Sequence, residues 1–368
     1  MVTVQQTDQK QKHYFGAGPS PLPQPVLEAL GRDAVELTTV GLSVLEISHR
    51  SKAYEQIQET AKQRLRRLLN IPDTHEVLFL QGGASLQFAM VPMNFLPEGR
   101  TAGYILTGQW SEKAYDEAVR VGAARVAATG KPHEWRQLPV LPENVVSADD
   151  AYIHITSNET IVGSQWKTFP HLSAPLVADM SSDILSRPIP VDQFHLIYAG
   201  AQKNLGPAGV TVVIVRKDWV EEASPNVPKI LQYGVHLKND SKYNTPPVFA
   251  VHAVERVLAW VETEGGVPAM AKRAEEKAKL LYDAIDESDG FYEGVVRKED
   301  RSLMNVTFRL ANRDLEPTFL AAANDAGLKG LSGHRSVGGF RASLYNAVTV
   351  ESCAALAELM RAFRKRHS

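Results

Sequence analysis

Between residues 76 and 216, short runs of β-branched and apolar residues alternate with turns and helical segments, and few folds accommodate that rhythm. Strands separated by helix-length stretches pair side by side in a mainly parallel α/β sheet, because each helix carries the chain back to the end where the next strand starts. The predicted strands are 76–80, 102–106, 151–155, 175–179, 196–199 and 210–216. Ligands of open α/β sheets gather at the carboxyl ends of strands. Function is therefore expected in 81–85, 107–110, 157–160, 179–182 and 200–203.

After Glu264-Gly265-Gly266 the texture changes to a long charged helix, 268–285, then 304–310, 314–326, 339–345 and 350–364. A chain of 368 residues exceeds the size at which one core stops growing, so two unequal domains are expected. The division read here is a flexible lead-in over 1–14, a large α/β domain over 15–264 and a smaller α+β domain over 265–368. Hydrophobic residues at 44% suit a large buried core, and a net charge of -2 offers no general attraction for nucleic acid or anionic membrane. A small-molecule partner is the expectation. The single cysteine, Cys353, excludes an internal disulfide framework and cysteine-based metal clusters. The polar, Gln-rich start lacks the apolar core of a secretory signal, and no stretch approaches the roughly 20 apolar residues of a membrane span. A cytoplasmic location is expected. The basic ending, Arg361 to His367, reads as ordinary dipole complementation of a last helical turn.

Seven sites along the chain carry candidate chemistry. In Glu76-Val-Leu-Phe-Leu-Gln-Gly-Gly-Ala-Ser85 an apolar strand meets two glycines and then a helical pattern, which leaves backbone N–H groups free for a phosphate. A plain strand-to-helix turn has the same pattern, and the lysine of a P-loop is absent. Asp179 emerges at a strand end, placed either to cap the next turn or to hold a heterocyclic nitrogen protonated. Lys203, about two dozen residues later, lies between an apolar strand and the Gly/Pro-rich Asn204-Leu-Gly-Pro-Ala-Gly209. A lysine in apolar surroundings favours its neutral, nucleophilic amine. Lysine and aspartate together are what pyridoxal phosphate requires. Trp110 offers a ring for stacking or for core packing, and Thr160 a hydroxyl for a ligand or a turn. Finally, Glu46-Ile-Ser-His49-Arg50 and Ser332-Gly-His334-Arg335-Ser-Val-Gly-Gly-Phe-Arg341 set cations among small residues, as a solvated cluster or as an anion site.

On Phe15-Gly-Ala-Gly-Pro-Ser-Pro-Leu-Pro, Glu46-Ile-Ser-His-Arg, Asn158-Glu-Thr-Ile-Val-Gly, Gly200-Ala-Gln-Lys-Asn-Leu-Gly-Pro-Ala-Gly, Tyr243-Asn-Thr-Pro-Pro and Gly333-His-Arg-Ser-Val-Gly-Gly-Phe-Arg-Ala-Ser, the chain resembles the phosphoserine aminotransferase family. These are class V, fold-type-I pyridoxal-phosphate enzymes, and the likeness runs from Phe15 nearly to the C-terminus. It implies a large domain with a mainly parallel seven-stranded sheet and a smaller α+β C-terminal domain. The implied reaction moves an amino group between glutamate and 3-phosphohydroxypyruvate, giving 2-oxoglutarate and O-phosphoserine for serine biosynthesis. In many bacteria such enzymes also aminate a related phosphorylated hydroxy-oxo acid on the route to pyridoxal phosphate.

By the same resemblance, Lys203 is the Schiff-base lysine, Asp179 the partner of the pyridine nitrogen, and Trp110 the stacking ring with Thr160 beside it. Ala84, Ser85 and Gln202 hold the cofactor phosphate, joined by Asn244 and Thr245 from the second subunit of a homodimer. Arg341 takes the substrate α-carboxylate. His334, Arg335 and Arg50 take its phosphate or distal carboxylate, with His49 assisting. Ala17 stands where many relatives have serine, and Ser85 where several bacterial relatives have arginine. A related aminotransferase acting on unphosphorylated oxo acids is the nearest alternative, and His334-Arg335 argues for an extra anionic group. A cysteine desulfurase needs a mobile loop cysteine, whereas Cys353 falls in the apolar helical pattern 350–360.

Overall fold

A computed structural model describes residues 13–367. In chain order its elements begin with β1 (His13–Tyr14), α1 (Gln24–Val35), α2 (Lys52–Leu69), β2 (His75–Leu80), α3 (Gly83–Phe95), β3 (Thr101–Leu106), α4 (Gln109–Val121) and β4 (Ala124–Thr129). The chain continues through β5 (Asp150–Thr156), the short hairpin β6 (Asn158–Glu159) and β7 (Ser164–Gln165), β8 (Leu176–Asp179), β9 (Leu196–Gly200) and β10 (Thr211–Arg216). Helices α5 (Lys217–Glu221), α6 (Tyr233–Lys238), α7 (Val248–Thr263) and α8 (Gly266–Asp286) follow. The last elements are β11 (Tyr292–Gly294), β12 (Asn305–Leu310), α9 (Glu316–Asp325), β13 (Leu328–Lys329), β14 (Phe340–Ser343) and α10 (Val350–His367).

Seven strands form one sheet in the order β2-β10-β9-β8-β5-β3-β4. All six predicted strands are present, each within a residue or two of its expected bounds, and β4 is the added edge. Only β10 runs against its neighbours β2 and β9; the remaining pairs are parallel. The cause is the short, helix-free return from Gly200 to Thr211, since a parallel partner would need a crossover of a dozen residues or more. Lys203 lies in that return.

Alternation along β2 shows how the sheet is covered. Val77 and Phe79 join a core with Tyr54, Ala61 and Leu65 of α2 and Val251, Val254 and Leu258 of α7. Leu78 and Leu80 face the other way, onto Phe88, Met90 and Val91 of α3 and Ala114 and Ala118 of α4. Sidedness follows from the period of two. Helix α2 begins where the Ser51 hydroxyl accepts the Tyr54 N–H and ends at Asn70 in a left-handed conformation.

A second, three-stranded sheet, β11-β12-β14, shares a separate core with α8, α9 and α10. Residues 1–12 of the expected lead-in lie outside the described residues. His13 and Tyr14, the rest of it, form β1 and pair with β13, and Phe15 is fully buried in the C-terminal core. Cys353 is buried in α10, and burial pushes its thiol up to about 12. No described helix is long and apolar enough to cross a membrane.

Candidate active site

At the carboxyl ends of the central strands lies a cavity of about 440 Å³. Its lining brings together Ala84, Ser85, Trp110, Thr160, Asp179, Gln202, Lys203, His334 and Arg341 from segments spread over most of the chain.

One end is the start of α3. Gly82 precedes it at φ 88°, and a Cβ there would meet the Leu86 side chain at 2.5 Å, so glycine is required on both counts. The tight turn leaves the first amides of α3 without intrahelical carbonyls, and Gly83, Ala84 and Ser85 line the cavity. That end suits an anion through hydrogen bonds and the helix dipole.

Asp179 ends β8, between Thr156 of β5 and Tyr198 of β9. Its Oδ1 accepts the Ser181 N–H at 2.9 Å, and its main-chain oxygen accepts both the Ser157 N–H and hydroxyl at 2.9 Å. Burial raises the Asp179 carboxyl above its ordinary range and the Lys203 charge opposes this. Burial likewise lowers the Lys203 amine, opposed by Asp179 and then Glu159. Each group is the other's main electrostatic support.

The Lys203 turn is fixed from three sides. The Ser20 N–H donates to the Gln202 carbonyl at 2.9 Å, and the Ser20 hydroxyl donates to the Lys203 carbonyl. Asn204 Nδ2 donates to the carbonyls of Ser182 and Ile184, both at 3.2 Å. Gly200 N–H donates to Ser181 Oγ at 3.1 Å. Lys203 Nζ lies 5.5 Å from the centre of the Trp110 ring. The indole Nε1–H donates to Thr160 Oγ1 at 3.0 Å.

Opposite, β14 supplies Arg341, whose Nη1 donates to the Thr160 carbonyl at 2.9 Å. His334 sits in the loop closed by Gly333 N–H on the Gly339 carbonyl at 2.9 Å. Its Nδ1 is 2.7 Å from Ser336 Oγ and accepts the Ser336 N–H at 3.3 Å. Burial, then the charges of Arg341, Arg335 and Lys113, lowers its pKa. With Nδ1 accepting from Ser336, Nε2 is the ring nitrogen left to donate to a ligand, beside Arg341.

Five expected residues lie outside this lining: His49, Arg50, Asn244, Thr245 and Arg335. All but the half-buried His49 are exposed. Two neighbours fall within the expected segments 179–182 and 157–160 but have no role assigned from sequence. Ser181 both orients Asp179 and lines the cavity. Glu159, fully buried, accepts the N–H groups of Trp110 and Ser111, each at 3.0 Å. The signal for Glu159 was a carboxylate within an otherwise small and apolar Asn158-Glu-Thr-Ile-Val-Gly segment.

The aminotransferase class-V family matches residues 13–356. The phosphoserine aminotransferase of Geobacillus kaustophilus is 56% identical over 357 residues, 97% of this chain and 99% of that protein. The phosphoserine aminotransferase structure from Bacillus circulans subsp. alkalophilus superposes with a TM-score of 0.95 at 51% identity, covering 97% of this chain and 99% of that one. The pyridoxal-phosphate-bound phosphoserine aminotransferase of Trichomonas vaginalis gives 0.91 at 39% identity, covering 95% and 100%.

Proposed function

The chain belongs to the class-V aminotransferases, among the phosphoserine aminotransferases, and from that premise we propose how its own residues carry out transamination between glutamate and 3-phosphohydroxypyruvate. The observation that carries the reading is the pairing of Lys203 and Asp179 in one cavity, between a free helix start and Arg341.

The residues present fit pyridoxal phosphate. Free amides of α3 stand at one end, and the Asp179 carboxyl, oriented by Ser181, borders the cavity. The Lys203 amine and the indole of Trp110 share the space between. Lys203 would hold the cofactor through Nζ and Asp179 through its pyridine nitrogen. The amides of Gly83, Ala84 and Ser85, with Gln202, would hold its phosphate, and Trp110 would cover its ring with Thr160 alongside. When bound, it supplies an electron sink for the pair left at the substrate Cα when that carbon loses its proton.

The remaining work falls to side chains. Asp179 keeps the pyridine nitrogen protonated, and a cation at that nitrogen restores its carboxylate against the cost of burial. Lys203 Nζ, favoured as the free amine by burial, takes and returns the proton at the substrate Cα. Arg341 takes the α-carboxylate in a charge-assisted pair while its Thr160 contact fixes its direction. His334 Nε2–H and Arg335 take the phosphate of one substrate and the distal carboxylate of the other, so one pocket serves both half-reactions.

The exposed Asn244, Thr245 and Arg50 receive their ligands from assembly in this reading. A second copy brings Asn244 and Thr245 to the neighbouring cofactor phosphate in a homodimer, working in the cytoplasm. An active monomer at low micromolar concentration would remove the shared site. The direct test supplies glutamate with 3-phosphohydroxypyruvate and measures 2-oxoglutarate and O-phosphoserine. Equal turnover with pyruvate or hydroxypyruvate would reassign the substrate.

A further inference from the structure

Glu159 has no part in the scheme above, yet it is a buried acid bonded to the backbone of Trp110, the cavity's aromatic wall. It does not line the cavity, and its Oε2 is buried without a hydrogen-bond partner. A buried carboxyl with an unsatisfied oxygen is costly to keep. All its side-chain hydrogen bonds converge on one element. Oε1 accepts the main-chain N–H groups of Trp110 and Ser111 at 3.0 Å and lies 3.2 Å from the Ser111 hydroxyl. These amides belong to the first turn of α4, whose N-cap residue, Gly108, has no side chain to serve them. A Cβ on Gly108 would fall 2.6 Å from Glu159 Cδ, so the place of a local cap is taken by the distant carboxyl.

The next residue completes the hold. Thr160 Oγ1 accepts the indole Nε1–H of Trp110 at 3.0 Å. Two consecutive residues, the last of β6 and the first of its hairpin turn, thus grip Trp110 by its backbone and by its ring, 5.5 Å from Lys203 Nζ. We propose that Glu159 is a positioning residue for the cofactor, acting through the Trp110 and Ser111 amides to set the indole face presented to the cavity. Either protonation state leaves Oε1 able to accept both amides, so a neutral acceptor of the same shape should serve as well.

The inference rests on Trp110 covering the cofactor ring, which Trp110→Ala tests alone: unchanged pyridoxal-phosphate affinity in that variant refutes the stacking assignment itself. Glu159 is tested by a double-mutant cycle of Glu159→Ala with Trp110→Ala, together with Glu159→Gln. In the apoprotein, the near-ultraviolet circular dichroism due to Trp110, read as the difference from the Trp110→Ala counterpart, should collapse in Glu159→Ala and persist in Glu159→Gln. Pyridoxal-phosphate Kd should rise about tenfold in Glu159→Ala, stay within about threefold of the parent in Glu159→Gln, and not rise further when Glu159→Ala is added to Trp110→Ala. kcat should fall as Kd rises while KM for glutamate holds. The proposal is overturned if Glu159→Ala leaves the tryptophan signal intact, if it weakens cofactor binding equally with and without Trp110, or if Glu159→Gln behaves like Glu159→Ala.

Discussion

Arg341 Nη1 donates to the Thr160 carbonyl at 2.9 Å, which ties a guanidinium on β14 to the turn that follows β5. The contact uses one N–H and leaves the rest of the fork for a ligand. Arg341→Ala should therefore lower kcat/KM for glutamate, 3-phosphohydroxypyruvate and unphosphorylated oxo acids alike, by about one to two decades. Arg335→Ala should penalise the phosphorylated substrate far more than pyruvate. Steady-state kinetics on the two substrate classes checks this, and parallel losses in both variants would dismiss the division of labour.

Lys203→Ala should abolish turnover while leaving the fold intact, because the carbonyl contacts that fix the turn are made by its backbone and by Asn204. Borohydride reduction of the parent holoenzyme followed by peptide mapping should place the label on Lys203. A label on any other lysine would falsify the assignment.

Asp179→Asn should still bind the cofactor, since the amide oxygen can accept the Ser181 N–H as Oδ1 does now. It cannot hold the pyridine nitrogen charged. Exchange of the glutamate Cα proton for deuterium should fall by orders of magnitude, and near-normal exchange would end that role for Asp179.

Within β5, His154 Nε2 lies 2.8 Å from the Tyr198 hydroxyl, and its Nδ1 is buried without a partner. Burial lowers its pKa from 6.5 to about 3. On acidification the unfolded chain takes up this proton first. The stability contributed is whole above about pH 6.5 and is lost as pH falls toward about 3, at up to ~1.4 kcal/mol per pH unit. The drop in urea midpoint from about pH 7.5 to about pH 5.5 should be larger in the parent than in His154→Gln. An equal drop in both would assign the acid sensitivity to other groups.

The six strands legible in the sequence are those buried on both faces, where apolar runs are long. Strand β4, Ala-Arg-Val-Ala-Ala-Thr, escaped because an edge strand with no fully buried residue carries no such run. The positions of Lys203 and Asp179 were readable because strand ends announce themselves. Glu159 was not, since its partners are main-chain amides some fifty residues earlier, and backbone partners leave no trace in residue type. The loop of His334 and Arg335 was found by its small residues, but their abundance says nothing of direction. The fold turns His334 into the cavity and Arg335 toward solvent.

The pairing of β1 with β13 and the burial of Phe15 among α8, α9 and α10 bear on how this molecule can be taken apart. A fragment cut at residue 265 would contain β11, β12, β14 and their helices yet lack the aromatic plug that the other end of the chain inserts there. Deleting the first fifteen residues would injure the C-terminal core before the nearby α1. Residues 13–15 and the C-terminal core are thus mutually dependent, and any bisection near Gly265 would separate two parts that the fold joins.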